Sequence, residues 1–318
     1  MERFIMPTSS PRFRERNARG PGYEVRNSRC RKMKPISIVA LIHGPDRPGL
    51  VAQVAGWIYD AGGNILHADQ HRDAEENIFF QRIEWTQPGD EETIYQVAGS
   101  FSRMAKLKLA MSCQTSVSNE RARVAILVSK IPHCLQDLVF RFRRGEMRGD
   151  IVCVISNHRD LLGFCEAMRI PFHLVEVPAG GKEHAEELQL SILKDYQADL
   201  LVLARYMQIL SPRFLSEAGV PSINIHHSFL PAFAGGRPYH QAYARGVKII
   251  GATAHYVTAD LDLGPIIAQD VARISHRHAV EELVRKGQDL EQSVLAQAIR
   301  WHLDRRVLVY KNKTVVFD

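Results

Sequence analysis

From Ala122 onward the chain alternates short apolar runs with amphipathic stretches, and this alternation limits the possible folds more than any other feature. ARVAILVSK (122–130), DIVCVISN (150–157), PFHLVEVP (171–178) and ADLLVLARY (198–206) are rich in Val, Ile and Leu. Between them lie HCLQDLVFRFRRG (133–145), HRDLLGFCEAMR (158–169) and KEHAEELQLSILKDY (182–196), which read as helices. Strands that are apolar along their whole length are buried on both faces. Helical crossovers between them build a parallel sheet covered on two sides. Residues 121–318 are therefore expected to form an α/β domain, with its ligand beyond the carboxyl ends of the strands. Neither GxGxxG nor GxxxxGK[ST] follows the first strand, so no motif supports a dinucleotide or nucleoside triphosphate.

Residues 35–117 follow a different order. ISIVALIHG (36–44) reads as a buried strand. Leu50, Val51, Val54, Ile58 and Ala61 then fall on one helical face, with Pro48 near its start and Gly62-Gly63 just past its end. NILHADQHRD (64–73) and NIFFQRIEW (77–85) read as strands joined by an acidic turn, followed by a helix near 90–109 and a strand near 111–117. The order βαββαβ is ferredoxin-like.

The turn Asp46-Arg47-Pro48-Gly49-Leu50, together with Gly62-Gly63-Asn64-Ile65, resembles the ACT domain, a small ligand-sensing module. That resemblance implies pairing of copies, hence a homo-oligomer, and an amino-acid effector such as glycine or methionine. Asp46, Arg47, Gly49 and Asn64 are its candidate contacts, because free N–H groups at a helix N-terminus suit a carboxylate. A purely structural dimerisation module fits the same residues. His67 and His71 would share a strand face, but no third ligand lies nearby in sequence, and His276 and His278 are in the same position. No metal site is expected.

The net charge of +6 is carried by the first 33 residues, which hold nine Lys/Arg and three acids; the rest has 32 of each. This Arg-, Ser-, Pro- and Gly-rich segment, 1–34, reads as a disordered tail, with Met33 as an alternative translation start. With a neutral remainder, nucleic acid is not an expected partner. No apolar run approaches the roughly 18–20 residues that span a bilayer, so a membrane protein is not expected either. The five cysteines are scattered without a CxxC pair. They fit a reducing, cytoplasmic setting better than a disulfide framework.

Two clusters hold the polar chemistry. SINIHHSFLPAFAGGRPYHQAY (222–243) delivers Asn224 and His226 on one side of a short strand, and Gly235-Gly236 allows close backbone approach or positive φ. GATAHYVTADLDLGPIIAQD (251–270) supplies His255, then Asp260 and Asp262 in a loop closed by Gly264-Pro265. An amide can hold a developing oxyanion, an imidazole can move protons near neutral pH, and a carboxylate can orient imidazole or water. With no GxSxG elbow and no Cys in these clusters, direct attack by water or an amine is favoured over a covalent intermediate. Spacing alone leaves a loop-holding role equally open.

N-I-H-H-S-F-L-P followed by D-L-D-L-G-P is similar to the folate-dependent formyltransferase family. The resemblance implies catalytic roles for Asn224, His226 and Asp262 and supporting ones for His255 and Gly264. It also implies folate packing on Met207, Ile209 and Leu210 within LARYMQIL (203–210). Gln208 stands where relatives often carry Arg, and H-R-D-L-L-G (158–163) departs from the usual H-x-D-L-R. An ACT-like domain ahead of such a domain, with no Gly-Ser-rich loop after Val128, resembles the formyltetrahydrofolate deformylases over residues 35–318. The fold then expected is α/β: a ferredoxin-like ACT domain followed by a Rossmann-like, mostly parallel-sheet formyltransferase domain. The activity expected is hydrolysis of 10-formyltetrahydrofolate by water, supplying formate for purine synthesis and balancing the one-carbon pool, with folate as substrate and no cofactor. Transfer to an amine, or a silent folate- or amino-acid-binding regulator, are the rival readings.

Overall fold

The computed structural model describes residues 36–230 and 238–318. The basic tail and the Gly235-Gly236 turn lie outside the described residues. The first strand, β1 (Ser37–Pro45), enters helix α1 (Leu50–Asp60), which starts at Gly49 in a left-handed conformation, φ 85°. Strands β2 (Asn64–Asp73) and β3 (Ile78–Thr86), helix α2 (Glu91–Leu109) and strand β4 (Ser112–Val117) complete the βαββαβ order. The sheet runs β2-β3-β1-β4 and is antiparallel throughout. Asp90 caps α2 by accepting from Thr93 N, and Lys106 and Lys108 sit in the last turn, where the helix dipole favours cations. One sheet face packs on the helices through Ile38, Val54, Ile58, Trp85 and Phe101.

The second sheet has seven strands: β5 (Ala122–Val128), β6 (Gly149–Ser156), β7 (Phe172–Leu174), β8 (Leu200–Leu203), β9 (Ser222–His226), β10 (Ile249–Tyr256) and β11 (Ile266–Arg273). Their order is β11-β10-β9-β8-β5-β6-β7. Strands β5 to β9 are parallel, and only β10 runs against its neighbours. Val124, Ile126, Leu200 and Val202 are fully buried, as continuous apolar strands require. The connecting helices are α3 (His133–Arg143), α4 (Leu162–Ala167), α5 (Lys182–Asp195), α6 (Pro212–Ala218) and α7 (Pro238–Arg245). Helix α8 (Val280–Leu303) crosses the sheet and packs Val294, Leu295, Ala298 and Ile299 into its core.

Three elements are shorter than their apolar patterns suggest. The helix expected over 158–169 is regular only over Leu162–Ala167, because Ser156 Oγ accepts from His158 N and holds the first residues in a turn. Strand β7 pairs along three residues at the sheet edge, between Pro171 and Pro178. Strand β8 ends at Leu203, since Arg205 adopts φ 63° and turns the chain.

The last elements, the hairpin β12 (Val307–Tyr310) and β13 (Lys313–Val316), join the two sheets. Leu308 and Phe317 pack with Leu41 and Phe80 of the first sheet. The buried Arg82 guanidinium donates to the Arg305 carbonyl (3.1 Å) and to Glu84 (2.9 Å). On its other side the hairpin reaches the seven-stranded sheet and the loop before β11, where Asn312 Nδ2 donates to the Leu263 carbonyl (2.9 Å) and Thr314 Oγ1 to that of Ile266 (2.5 Å).

Candidate active site

Strand β9 ends at the carboxyl edge of the sheet and projects Asn224 and His226 together, as alternation requires. Its neighbour β10 carries His255 opposite Asn224 in register. The loop from Val257 to Pro265 then curls back over both. Asp262, at its tip, has φ 55°. Gly264 must be glycine, because a Cβ there would lie 1.8 Å from the Tyr256 carbonyl oxygen. That close approach lets Tyr256 N donate to Pro265 O (2.9 Å) and fixes the base of the loop.

The polar atoms form one chain of contacts. His226 Nδ1 lies 3.2 Å from Asp262 Oδ2, and His255 Nε2 lies 3.5 Å from Asp262 Oδ1. His255 Nδ1 faces the Tyr256 carbonyl oxygen at 2.9 Å, so that nitrogen carries the hydrogen. Its Nε2 stands between the Asn224 amide, with Nδ2 3.2 Å away, and the Asp262 carboxylate. His255 is only 1% exposed, as suits a group that orients others. Hydrogen bonds from His226 and His255 outweigh partial burial and hold the Asp262 carboxyl well below the usual aspartate range. His226 Nε2 is buried and has no hydrogen-bond partner among the described residues, an arrangement that folded proteins rarely leave without use. Thr253 Oγ1 holds the chain beyond His226 by donating to the Ser228 carbonyl (2.9 Å) and accepting from Leu230 N (3.1 Å).

Asn224, His226, His255 and Asp262 line a cavity of about 370 Å³ together with residues 205–210 and 257–261. Met207 and Ile209 are 58% and 61% exposed, and Leu261 is 61% exposed, so the rim offers apolar surface to a flat ligand. Leu210 lines the cavity from a buried position. Buried Ser129 fixes this segment: its hydroxyl accepts from Met207 N (3.0 Å) and donates to Asn157 Oδ1 (2.8 Å). A larger cavity, about 530 Å³, lies at the opposite, amino end of the sheet, beside Ala122, Leu200 and Pro221, far from this chemistry.

The sequence passes over Ser129 and Arg205, because their roles depend on the spatial meeting of β5 and β8. It also gives no weight to His227, whose imidazole burial pushes down to about 4, helped by the Arg205 charge. The cavity brings together all of Asn224, His226, His255, Asp262, Met207, Ile209 and Leu210, while Gly264 lies in the adjoining hollow with His226 and Asp262.

The candidate effector residues are not gathered in this way. Asp46 Oδ2 pairs with Arg72 Nε (2.5 Å), and Arg47 donates to the Lys108 carbonyl (3.4 Å) at the end of α2. Gly49 starts α1, while Asn64 lies opposite Thr86. Asp46 borders the Asn77–Ile78 end of β3, so roughly 27 Å of strand separates it from Asn64. Among the described residues, His133, Cys134 and Glu291 alone form a group with metal-ligand spacing, away from the paired histidines 67/71 and 276/278.

Comparisons with known proteins bear on the two sheets and their order. Residues 122–299 match the formyl transferase family and residues 38–97 the ACT domain. A formyltetrahydrofolate deformylase of a Synechocystis species is 49% identical over 286 residues, covering 90% of this chain and all of that protein. The chain belongs to the formyltetrahydrofolate deformylase family. A crystal structure of the deformylase from Pseudomonas syringae pv. tomato superimposes with a TM-score of 0.84 at 44% identity, covering 90% of this chain and 96% of that one. The glycinamide ribonucleotide transformylase 1 from Symbiobacterium toebii shares a smaller part: TM-score 0.58, 29% identity, 62% of this chain and 95% of that one. Family membership thus brings both sheets, in this order, to one type of enzyme, and no helix is long and apolar enough to cross a membrane among the described residues.

Proposed function

We propose that this protein hydrolyses 10-formyltetrahydrofolate to formate and tetrahydrofolate, with Asn224, His226 and Asp262 as its catalytic residues. The observation that carries the assignment is the continuous contact Asn224–His255–Asp262–His226 on the floor of an apolar-rimmed cavity.

The pterin packs against Met207, Ile209 and Leu210, and backbone groups of residues 257–261 read its edge. Asn224 Nδ2 and His226 Nε2 face the formyl oxygen as it becomes an oxyanion. Asp262, kept ionised by its two imidazole neighbours, orients water and takes its proton. The tetrahedral adduct collapses with cleavage of the bond between the formyl carbon and N10, and N10 leaves with the proton. His255 orients the Asn224 amide and the carboxylate, and Gly264 lets the loop close. Folate is the substrate, and no metal or redox group enters any step. Formate released in this way supplies purine synthesis and balances the one-carbon pool.

Two readings concern the ACT-like domain. Strand β2 is an edge strand, with Ile65 and Leu66 on its exposed surface, which supports pairing of copies into a homo-oligomer. An amino acid such as glycine or methionine is the effector, held by Asp46, Arg47, Gly49 and Asn64. Because the last lies at the far end of the sheet, a second copy is needed to bring the two groups together. Titration calorimetry tests this, and absence of heat with both amino acids removes it.

Asn224→Ala tests the catalytic assignment. Loss of an oxyanion donor is expected to lower kcat by on the order of 10²–10³ with tetrahydrofolate binding retained. Near-full turnover in the variant would show the assignment to be wrong.

A further inference from the structure

In open parallel sheets, ligands settle where the strand order reverses direction. Here the chain leaves β5 for β6 and β7, then returns to β8 on the other side of β5, so the reversal lies between β5 and β8. The crevice beyond their carboxyl ends adjoins His226 and His227. Arg205, His226 and His227 line the same cavity as Asn224 and Asp262.

A buried charge cluster stands at this edge of the cavity. Arg205, two residues past β8 and only 11% exposed in its side chain, points its Nε to Glu291 Oε2 of α8 at 3.5 Å. His133, the first residue of α3, places Nε2 2.8 Å from the same oxygen. Tyr239 of α7 donates its hydroxyl to Glu291 Oε1 (2.7 Å), and Gln292 Nε2 donates to the His133 carbonyl (3.1 Å). Burial by itself would raise the Glu291 carboxyl, but the bonds from His133 and Tyr239 and the Arg205 charge outweigh it and keep the group ionised. Both carboxylate oxygens are occupied, and burial drives the Cys134 thiol well above its ordinary range, so the group with metal-ligand spacing is used up within the protein.

Stability alone does not account for this cluster. A buried ion pair gains little over well-packed apolar side chains. Arg205 holds a left-handed backbone, φ 63°, a conformation unfavourable for a non-glycine residue. Helix α8 keeps Gly287 in its interior, where alanine would favour the helix. It does so because a Cβ there would meet the Tyr239 hydroxyl at 2.1 Å. Three unfavourable features thus converge on one carboxylate, and Arg205 lines the same cavity as Asn224, His226 and Asp262.

We propose that Arg205, braced by Glu291, His133 and Tyr239, is an acceptor plug: it fills the switch-point crevice so that water, and not an amine, reaches the formyl carbon. This inference rests on the hydrolase reading above and concerns what attacks, not which residues catalyse. With the plug removed, an amine nitrogen attacks the formyl carbon, the bond to N10 breaks, and the proton lost by the amine reaches N10 through Asp262. The products are the N-formyl amine and tetrahydrofolate.

The test incubates the full-length protein with 10-formyltetrahydrofolate and rising glycinamide, and measures N-formylglycinamide and formate in the same reaction. Wild type is expected to give formate alone. Arg205→Gly, which the positive φ accommodates, should raise the ratio of amide to formate by roughly tenfold or more above the uncatalysed background, a discrimination of the size pocket shape commonly gives. Tyr239→Phe, which keeps the ring and removes the brace, should move the ratio in the same direction. The ratio is read per turnover, so partial misfolding does not alter it, and Tyr239→Phe decides the matter if Arg205→Gly does not fold. An unchanged ratio in variants that still release formate would overturn the plug. So would loss of all turnover in a folded Arg205→Gly, since Arg205 would then serve hydrolysis itself. Failure of wild type to release formate without amine would instead overturn the hydrolase reading beneath it.

Discussion

Replacing Gly264 by alanine perturbs the site at one defined point. A Cβ at Gly264 would lie 1.8 Å from the Tyr256 carbonyl oxygen and 2.9 Å from its carbon, both backbone atoms of β10 that a rotamer change cannot move. Ordinary contact is near 3.3 Å, so the loop must retreat by about 1.5 Å. The Tyr256 N to Pro265 O bond is lost, and Asp262 Oδ2 moves from 3.2 Å to beyond hydrogen-bond range of His226 Nδ1. A misplacement of about 1 Å costs catalysis roughly 10²-fold. Gly264→Ala should therefore lower kcat for formate release by on the order of 10²-fold or more, with a loss of about 1–3 kcal/mol in stability from overpacking. Stopped assays of formate, beside a thermal melt, separate the two effects. A folded variant with kcat within about threefold of wild type would refute the view that loop position sets the rate.

Other expectations follow from the same contacts. Asn312→Ala removes the hairpin's bond to the Leu263 carbonyl, next to Asp262; kcat should fall by roughly tenfold, equivalent to about 1.4 kcal/mol, with the melting temperature little changed. Burial lowers His302 to about 4, and Tyr256 bonds its Nδ1 at 2.8 Å. The unfolded chain takes up that proton below its ordinary value of 6.5 while the folded chain does not, so stability is complete above 6.5 and declines as pH falls toward about 4. The contribution is on the order of 3 kcal/mol, and His302→Gln should flatten the decline in denaturant titrations. The Asp262 carboxyl is held low by its imidazole partners, so an acid limb in kcat titrating near an ordinary aspartate value would contradict its place in the contact chain.

Much of the architecture is legible in the sequence because periodicity and turn chemistry are local. The βαββαβ order needs only alternating runs, Pro48 near a helix start and Gly62-Gly63 past its end. Asn224, His226, His255 and Asp262 can be found because adjacent strands bring two compact motifs together. What depends on distant pairing is not legible. Arg205 and Glu291 are far apart in sequence, and nothing local announces that an arginine after β8 will face a glutamate inside α8. The hairpin β12–β13 is short, and its purpose appears only where Leu308 and Phe317 meet Leu41 and Phe80. Apolar runs overestimate β7 and β8 because prolines and a positive-φ turn end the ladders before the apolar residues do.

The most direct measurement is formate release from 10-formyltetrahydrofolate by the purified protein with no amine present, beside Asp262→Asn. The account predicts sustained release by wild type and a loss of about 10²–10⁴-fold in kcat in the variant, whose amide cannot take the proton from water. No release by wild type, or equal release by Asp262→Asn, would contradict it.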